Sequence, residues 1–586
     1  MPGLEISQIA DGDAENRLSC DVLVIGGGPA GLTVARGLEG SGLDVLVLES
    51  GQLEETPDAD ALNHVIVDSA TWTEAQARRR TKYHAPQTKF WSHERQGYGV
   101  RCRTLGGSTV AWAGKSAAFG GIDYARRDWV PGSGWPIDHH DLGPHLDRAA
   151  ASLNLGANCY DDHLWTLMKR RPPEPRPDPA VLGSFFWQFS RSTIRPMEVM
   201  HVGTEFVNAP ARGCRIMTDA TAIEILTNAT GKMATGVRGA SRSGKPFIAK
   251  AGTVVLAASA IENARILLNS RAHDRHGLAN SHDTVGRFLM DHAGAVVAGF
   301  ESQDIDRMAQ LFGFFGLKTH GAVNMYMRGI APSESVQQAE GLLNCAAYMP
   351  GERAPDNPWD ALKRILKRRS ESYLSDGMTV AKSPGLIVRG MGRLAIQNPR
   401  FPQGLSRFIV DQVIRFRPNM AVEEFMTGGV PHKLVRLPIE VICEQAPDPE
   451  NRVTLSSHVD RFGVPYPEVR WKLGELERRT IMRFAELMCL EFEKAGLPVP
   501  VLEDWVRQND FEKASIIDMG HTAGTTRMSD DPGNGVVDRN CKVHGIKGLY
   551  VAGASVFPTS GHANPTLMIV ALAFRLADHL RHRSAT

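Results

Sequence analysis

Two short stretches near the C-terminus carry residues whose types could do acid–base chemistry. GHTAGTTRM begins at Gly520 and supplies His521; SGHANPTLM begins at Ser560 and supplies His562 and Asn564. An imidazole titrates near neutrality, so His521 could take the proton of a hydroxyl group. A carboxamide does not titrate, so Asn564 could hold an oxygen in place without competing for its proton. On residue type alone, a histidine satisfied inside a core is the better account of His521. What decides between these readings is what else the chain brings to the same place.

That partner is written near the N-terminus as DVLVIGGGPAGLTVARGLEGSGLDVLVLESG, residues 21–51. Residues 22–25 form an aliphatic, β-branched run, the composition of a strand buried on both faces. Gly26, Gly28 and Gly31 follow as G-x-G-x-x-G, with Pro29 and Ala30 opening a helical pattern. In a dinucleotide site the first glycine makes the turn and the second admits a pyrophosphate. The third lets helix and strand pack, and the helix start points N–H groups at the phosphates. A second apolar strand, 45–48, ends at Glu49 and Ser50. The Glu49 carboxylate suits ribose hydroxyls and disfavours a 2′-phosphate. Strand, turn, helix, strand and acid in this order identify a dinucleotide site. They do not separate FAD from NAD.

The chain has 586 residues, enough for two domains or one composite one, and a formal net charge of +1. Near-neutral charge gives no reason to expect a nucleic-acid partner. The eight cysteines are scattered without C-x-x-C spacing, so no zinc site, other metal site or disulfide framework is expected. No signal peptide or membrane-spanning run is apparent, and the expected location is cytoplasmic.

Further along, RTLGGSTVAWAGK covers residues 103–115. Residues 161–195 are rich in Pro and Arg and read as an irregular excursion. Alternating patterns at 216–226 and 236–238, then TVVLAA at 253–258, suggest a β-meander returning to a parallel sheet. Strand-like runs recur at 293–348 and 435–471, the pattern of one antiparallel sheet split by an insert at 351–419. That insert places Lys363, Arg364, Lys367, Arg368 and Arg369 on a basic helix, more readily a solvated face, lid or oligomer contact than a membrane contact. Residues 476–495 and 566–580 read as helices.

With these motifs in order, the chain resembles the glucose–methanol–choline oxidoreductases, flavoproteins that oxidise alcohols. The resemblance spans nearly the whole length. It rests on the dinucleotide fingerprint, RTLGGST (103–109), VVLAASAIENARILLNS (254–270), VGRFLMDH (285–292) and the two C-terminal stretches. Trp112 after the glycine turn and Asn564 in place of a second His resemble the pyranose-oxidase-like branch, which acts on sugars. Members of that branch can carry the flavin on a His one position before the Trp. Here that position is Ala111, so the expected FAD is non-covalent.

The resemblance implies an α/β (α+β, two-domain) fold. A Rossmann-like FAD-binding domain would comprise residues 18–292 and 513–586, around a substrate domain, residues 293–512, built on an antiparallel sheet with helices. It implies His521 as catalytic base with Asn564 beside it, and His562 as a pocket wall that could touch substrate. His292 is implied to be structural. Cofactor contacts are implied for Arg103, Gly107, Ser108, Trp112, Ala113, Ala222, Ala258, Gly553, Ala554, Pro565 and Thr566. The expected substrate is a sugar, glycoside or sugar-like polyol, with oxygen or another electron acceptor and an open oligomeric state. The alternatives are a hydrophobic alcohol, which the FGFF run at Phe312 to Phe315 would suit, and a non-redox flavoprotein of the same fold.

Overall fold

The computed structural model describes residues 5–8, 16–68, 71–301, 303–319, 322–353, 357–398, 400–419 and 434–585. At its centre the strand Asn16–Ile25 runs parallel to Val45–Leu48 on one side and to Pro246–Leu256 on the other. Val22 to Ile25 and Val45 to Leu48 are all at most 3% exposed, and burial on both faces explains why these runs do not alternate. The sheet continues outward through Cys214–Thr218 to Glu5–Gln8, and on its other side through Ala234–Ser241 to Ala220–Thr227.

Pro246–Leu256 joins two kinds of pairing. Its first half closes the antiparallel meander against Ala234–Ser241, and its last residues lie parallel to Leu549–Val551. The C-terminal stretch is thereby drawn to the carboxyl ends of the parallel strands. The terminal helix Thr566–Ala585 then packs across Pro29–Gly37 and His139–Ser152.

The second sheet is antiparallel and has ten strands. Its main path runs Val501–Leu502, Ala293–Phe300, Leu434–Cys443, Cys345–Tyr348, Ala322–Pro332, Leu182–Phe189 and Lys115–Ser116. The last two precede residue 293. The stretch read as an irregular excursion thus contains a strand, LGSFFWQF, paired along its length with Ala322–Pro332. Helix Glu475–Lys494 covers this sheet with Ile481, Phe484, Ala485, Met488 and Phe492, one face at helical spacing. The described part of the insert includes the helices Pro358–Leu366, Tyr373–Ala381, Pro384–Gln397 and Gln403–Phe416. Among the described residues no helix is long and apolar enough to cross a membrane.

Two residues, Ile517–Asp518, stitch the C-terminal segment to the second sheet, with Asp518 opposite Ala293. This pairing sets His292, just before one strand, beside the residues that lead to His521.

Candidate active site

A cavity opens at the carboxyl ends of the parallel strands and runs from Glu49 and Ala222 to His521 and Asn564. This is where open α/β sheets bind ligands. Of the residues expected to touch cofactor or substrate, all but Gly31 and His562 line it.

Gly31 acts from behind. A methyl group there would stand 2.0 Å from the Gly26 carbonyl oxygen, so only glycine lets the helix sit this close to the strand. Gly28 has the opposite surroundings: its nearest neighbour across the gap, the Gly107 Cα, would be 3.9 Å from an added methyl. No side-chain oxygen caps the helix that starts after Gly28, and Gly28, Pro29 and Ala30 at its start line the cavity. An open backbone cradle at an uncapped helix start fits a pyrophosphate.

Glu49 sits at the next station along the cavity. Its carboxylate accepts the Gly27 N–H at 2.9 Å and the Gly51 N–H at 2.8 Å. Burial nevertheless raises its pKa above the usual range. Arg103 donates to Ser50 Oγ at 3.0 Å and to Asn63 Oδ1 at 3.1 Å, so it braces the corner beside Glu49. Behind it, buried Glu262 faces three guanidinium groups, of Arg101, Arg103 and Arg265. Trp112 half-faces the cavity and is fixed by its Nε1–H donating to the Met200 carbonyl at 2.7 Å. Pro565 and Thr566, at the start of the terminal helix, add a second helix N-terminus to the lining. These residues fit FAD along their length.

At the far end the polar atoms form a chain. His292 Nε2 lies 3.4 Å from the Ser560 carbonyl, His292 Nδ1 lies 2.9 Å from His521 Nδ1, and His521 Nε2 lies 3.2 Å from Asn564 Nδ2. His292 is buried, His521 is half-buried at the cavity, and both rings are held neutral. Burial lowers His292 to about 4, and burial, with the nearby His292 and Lys115, lowers His521 well below its ordinary 6.5. One set of protons then makes every contact donor to acceptor. The Ser560 carbonyl requires N–H at His292 Nε2, which leaves His292 Nδ1 as acceptor. His521 therefore donates from Nδ1, and its Nε2 lone pair receives the Asn564 N–H. The basic nitrogen of His521 and the Asn564 amide converge at the cavity.

The backbone of this loop is anchored by Asp291. One of its carboxyl oxygens accepts the N–H groups of His292 at 2.7 Å, His521 at 2.9 Å and Met519 at 3.1 Å. Burial and the neighbouring Asp518 charge hold Asp291 well above the carboxylate range. Asp518 goes the other way: although burial opposes ionisation, Arg80 and His84 keep it low.

Three features alter the expectations. His562 is 3% exposed, lies off the lining, and packs edge-on to Phe185 at 4.4 Å between ring centres. Burial, chiefly, lowers it to about 3, so it is a neutral wall behind the site. Phe312 to Phe315 also lie off the lining; Phe312 stacks on Phe492, and Phe315 meets Trp165. Lys115 is the residue that sequence reasoning missed. Its ammonium is buried 3.4 Å from the Tyr348 ring centre and 4.1 Å from that of Trp187, with no hydrogen-bond partner. Burial lowers it to about 7.

Comparison with known proteins accords with this geometry. The GMC oxidoreductase family matches residues 201–294 and 447–573, and an FAD binding domain matches residues 19–102. The large subunit of fructose dehydrogenase from Gluconobacter japonicus is 23% identical over 96% of this chain and 97% of its own. Paromamine 6′-oxidase from Streptomyces fradiae is 24% identical, covering 95% of this chain and 90% of its own. 2-Methyl-1,2-propanediol dehydrogenase from Mycolicibacterium austroafricanum is 25% identical, covering 96% and 95%. A fungal aryl-alcohol oxidase structure, 14% identical, superposes over 97% of this chain and 99% of its own with a TM-score of 0.54, a likeness of fold. The chain belongs to the GMC oxidoreductases. It is an FAD-dependent oxidoreductase acting on alcohol groups.

Proposed function

We propose that the protein oxidises one carbinol carbon of a sugar, glycoside or sugar-like polyol, with His521 as general base. The observation that carries this reading is the convergence of His521 Nε2 and Asn564 Nδ2, 3.2 Å apart, on the cavity. A substrate hydroxyl that replaces this direct contact would give its proton to His521 Nε2 and accept the Asn564 N–H. As the oxygen gains negative charge, the carbinol carbon becomes a ready hydride donor. The Gly28 cradle, Glu49 and the Thr566 helix start would hold FAD, which when bound would supply the hydride acceptor. The His521–His292 bond keeps the second ring nitrogen protonated, so the imidazole accepts only at Nε2.

The sugar-like substrate class is supported by two relatives whose names specify a sugar and an aminoglycoside fragment. The hydrophobic-alcohol reading loses its main support, because the FGFF run lies off the cavity lining and Phe312 is buried against Phe492. We further propose that the FAD is non-covalent, since Ala111 offers no side chain for attachment and lines the cavity.

Purified holoenzyme is to be mixed anaerobically with sugars, glycosides, aminoglycosides and lipophilic alcohols, following the flavin absorbance. Bleaching by a sugar-like compound is expected, and admitting air then distinguishes oxygen from another acceptor. Bleaching by lipophilic alcohols alone would overturn the substrate class, and no bleaching by any alcohol would overturn alcohol oxidation. Acid precipitation is expected to release the yellow colour into the supernatant; colour left in the pellet would overturn non-covalent binding.

A further inference from the structure

The helical insert is built inside out. Among the described residues nineteen large apolar side chains are exposed, and ten of them lie between Leu366 and Phe416. Leu366, Leu374, Val388, Met391, Phe408 and Phe416 are each 59–75% exposed. They fall at turn spacing along their helices: Leu374 with Met378, Val388 with Met391, Leu405 with Phe408. Helix Gln403–Phe416 shows the consequence most clearly. It buries Val410 and Ile414 as it packs on the strands Phe314–Thr319 and Ala322–Pro332, yet turns Phe408 and Phe416 outward. A helix whose core-facing side is already satisfied has no folding reason to carry Phe on its outer side. Apolar exposure on this scale marks an interaction surface.

Charge selects the partner. Residues 357–419 hold twelve Lys and Arg against four Asp and Glu, a net +8 in a chain whose total is +1. Three of those acids are already paired: Asp376 with Arg364, Asp360 with Lys363, and Asp411 with Arg191. Lys367, Arg368 and Arg369 stand exposed beside Leu366. A second copy of this face would meet it with like charge, whereas an anionic lipid surface supplies both the opposite charge and an apolar layer. We propose that the insert 357–419 docks the enzyme peripherally on an anionic membrane surface, with its outward Leu, Met, Val and Phe side chains at the acyl boundary and its basic residues at the headgroups. This reverses the expectation that a solvated, lid or oligomer role suits the insert better. It does not depend on the substrate.

The test uses full-length holoenzyme and sedimentation with vesicles of phosphatidylcholine alone or mixed 3:1 with phosphatidylglycerol. The expected result is co-sedimentation with the anionic vesicles, at least tenfold more than with neutral ones, and weakened by salt. A Leu374→Glu, Phe408→Glu variant and a Lys367→Glu, Arg368→Glu, Arg369→Glu variant should each lose at least tenfold of that binding. Their flavin absorbance and thermal midpoint report that the fold is intact. The exposed positions make at least one variant expected to fold, and either one suffices. Three results would overturn the proposal: no binding to either vesicle, equal binding to both, or variants that fold and still bind as the parent does. A stable oligomer in sedimentation equilibrium that Phe408→Glu dissociates would assign the face to a second copy instead.

Discussion

His292 and His521 meet Nδ1 to Nδ1 at 2.9 Å although 229 residues separate them in the chain. The bond exists because Ala293 pairs with Asp518, which lines up the residues flanking each strand. Its effect is to choose which nitrogen of His521 is basic, the role that the triad aspartate plays for its histidine in serine proteases.

His292→Ala should therefore lower kcat more than it raises KM, with flavin absorbance retained. The loss should sit near the lower end of the about 10²–10⁴-fold that a positioned base contributes. His292→Gln, whose amide oxygen can accept the His521 N–H, should recover part of it. Steady-state kinetics of the two variants check this. Equal losses in both, or a change confined to KM, would remove the tautomer argument.

His521→Ala should lose about 10²–10⁴-fold in kcat/KM while still binding FAD, because the base itself is gone. Asn564→Ala should fall less, since it removes orientation but leaves the base. Single-turnover flavin bleaching under argon measures both without the acceptor step. Near-parent bleaching by the His521 variant would exclude it as the base.

The dinucleotide unit was legible in the sequence because its determinants are local: three glycines, two apolar strands and Glu49 within one stretch. His521 and Asn564 were legible only through resemblance, since neither stretch says what it will face. The His292 contact was not legible, because a strand register across 229 residues creates it. The strand Leu182–Phe189 was hidden by the Pro and Arg residues upstream of it, although its aromatic run is typical of a buried strand. Lys115 ends the stretch 103–115 with no local signal of its burial. Only its pairing with Phe189 carries it into the second sheet and under Trp187 and Tyr348.

The pH profile follows from that lysine. Burial chiefly, then the neighbouring His292 and the Lys115 charge, lower His521 below 6.5, so the base stays neutral into mildly acidic solution. The acid limb of kcat/KM is expected below pH 6.5. Lys115 is held near 7 by burial, so it carries its charge throughout that range. Lys115→Met removes a charge that opposes His521 protonation; the His521 pKa rises and the acid limb moves to higher pH. A kcat/KM profile from pH 4 to 8 for parent and variant decides it, and a limb that stays in place or moves down would refute the coupling.

Stability at the opposite end of the cavity rests on Glu262. Burial alone would raise this carboxyl, but Arg103, Arg265 and Arg101 overcome it and hold the group at about 2. A depressed folded-state pKa means that its contribution is complete above the ordinary value of 4.5 and is lost as pH falls through about 2. Glu262→Gln removes that charge from between three guanidinium groups, leaving only the Arg265–Asp460 pair at 2.7 Å. Breaking a buried pair by deleting one partner costs about 3–5 kcal/mol. The urea midpoint should drop by a corresponding amount, and by the same amount at pH 7 and pH 5, since both lie above the titration. Because Arg103 also braces Ser50 beside Glu49, the variant should release FAD at lower urea than the parent. A variant as stable as the parent would show that the guanidinium groups are satisfied without the acid. A difference that does not shrink as the pH falls from 5 to 3 would show that the folded-state pKa of Glu262 is not depressed.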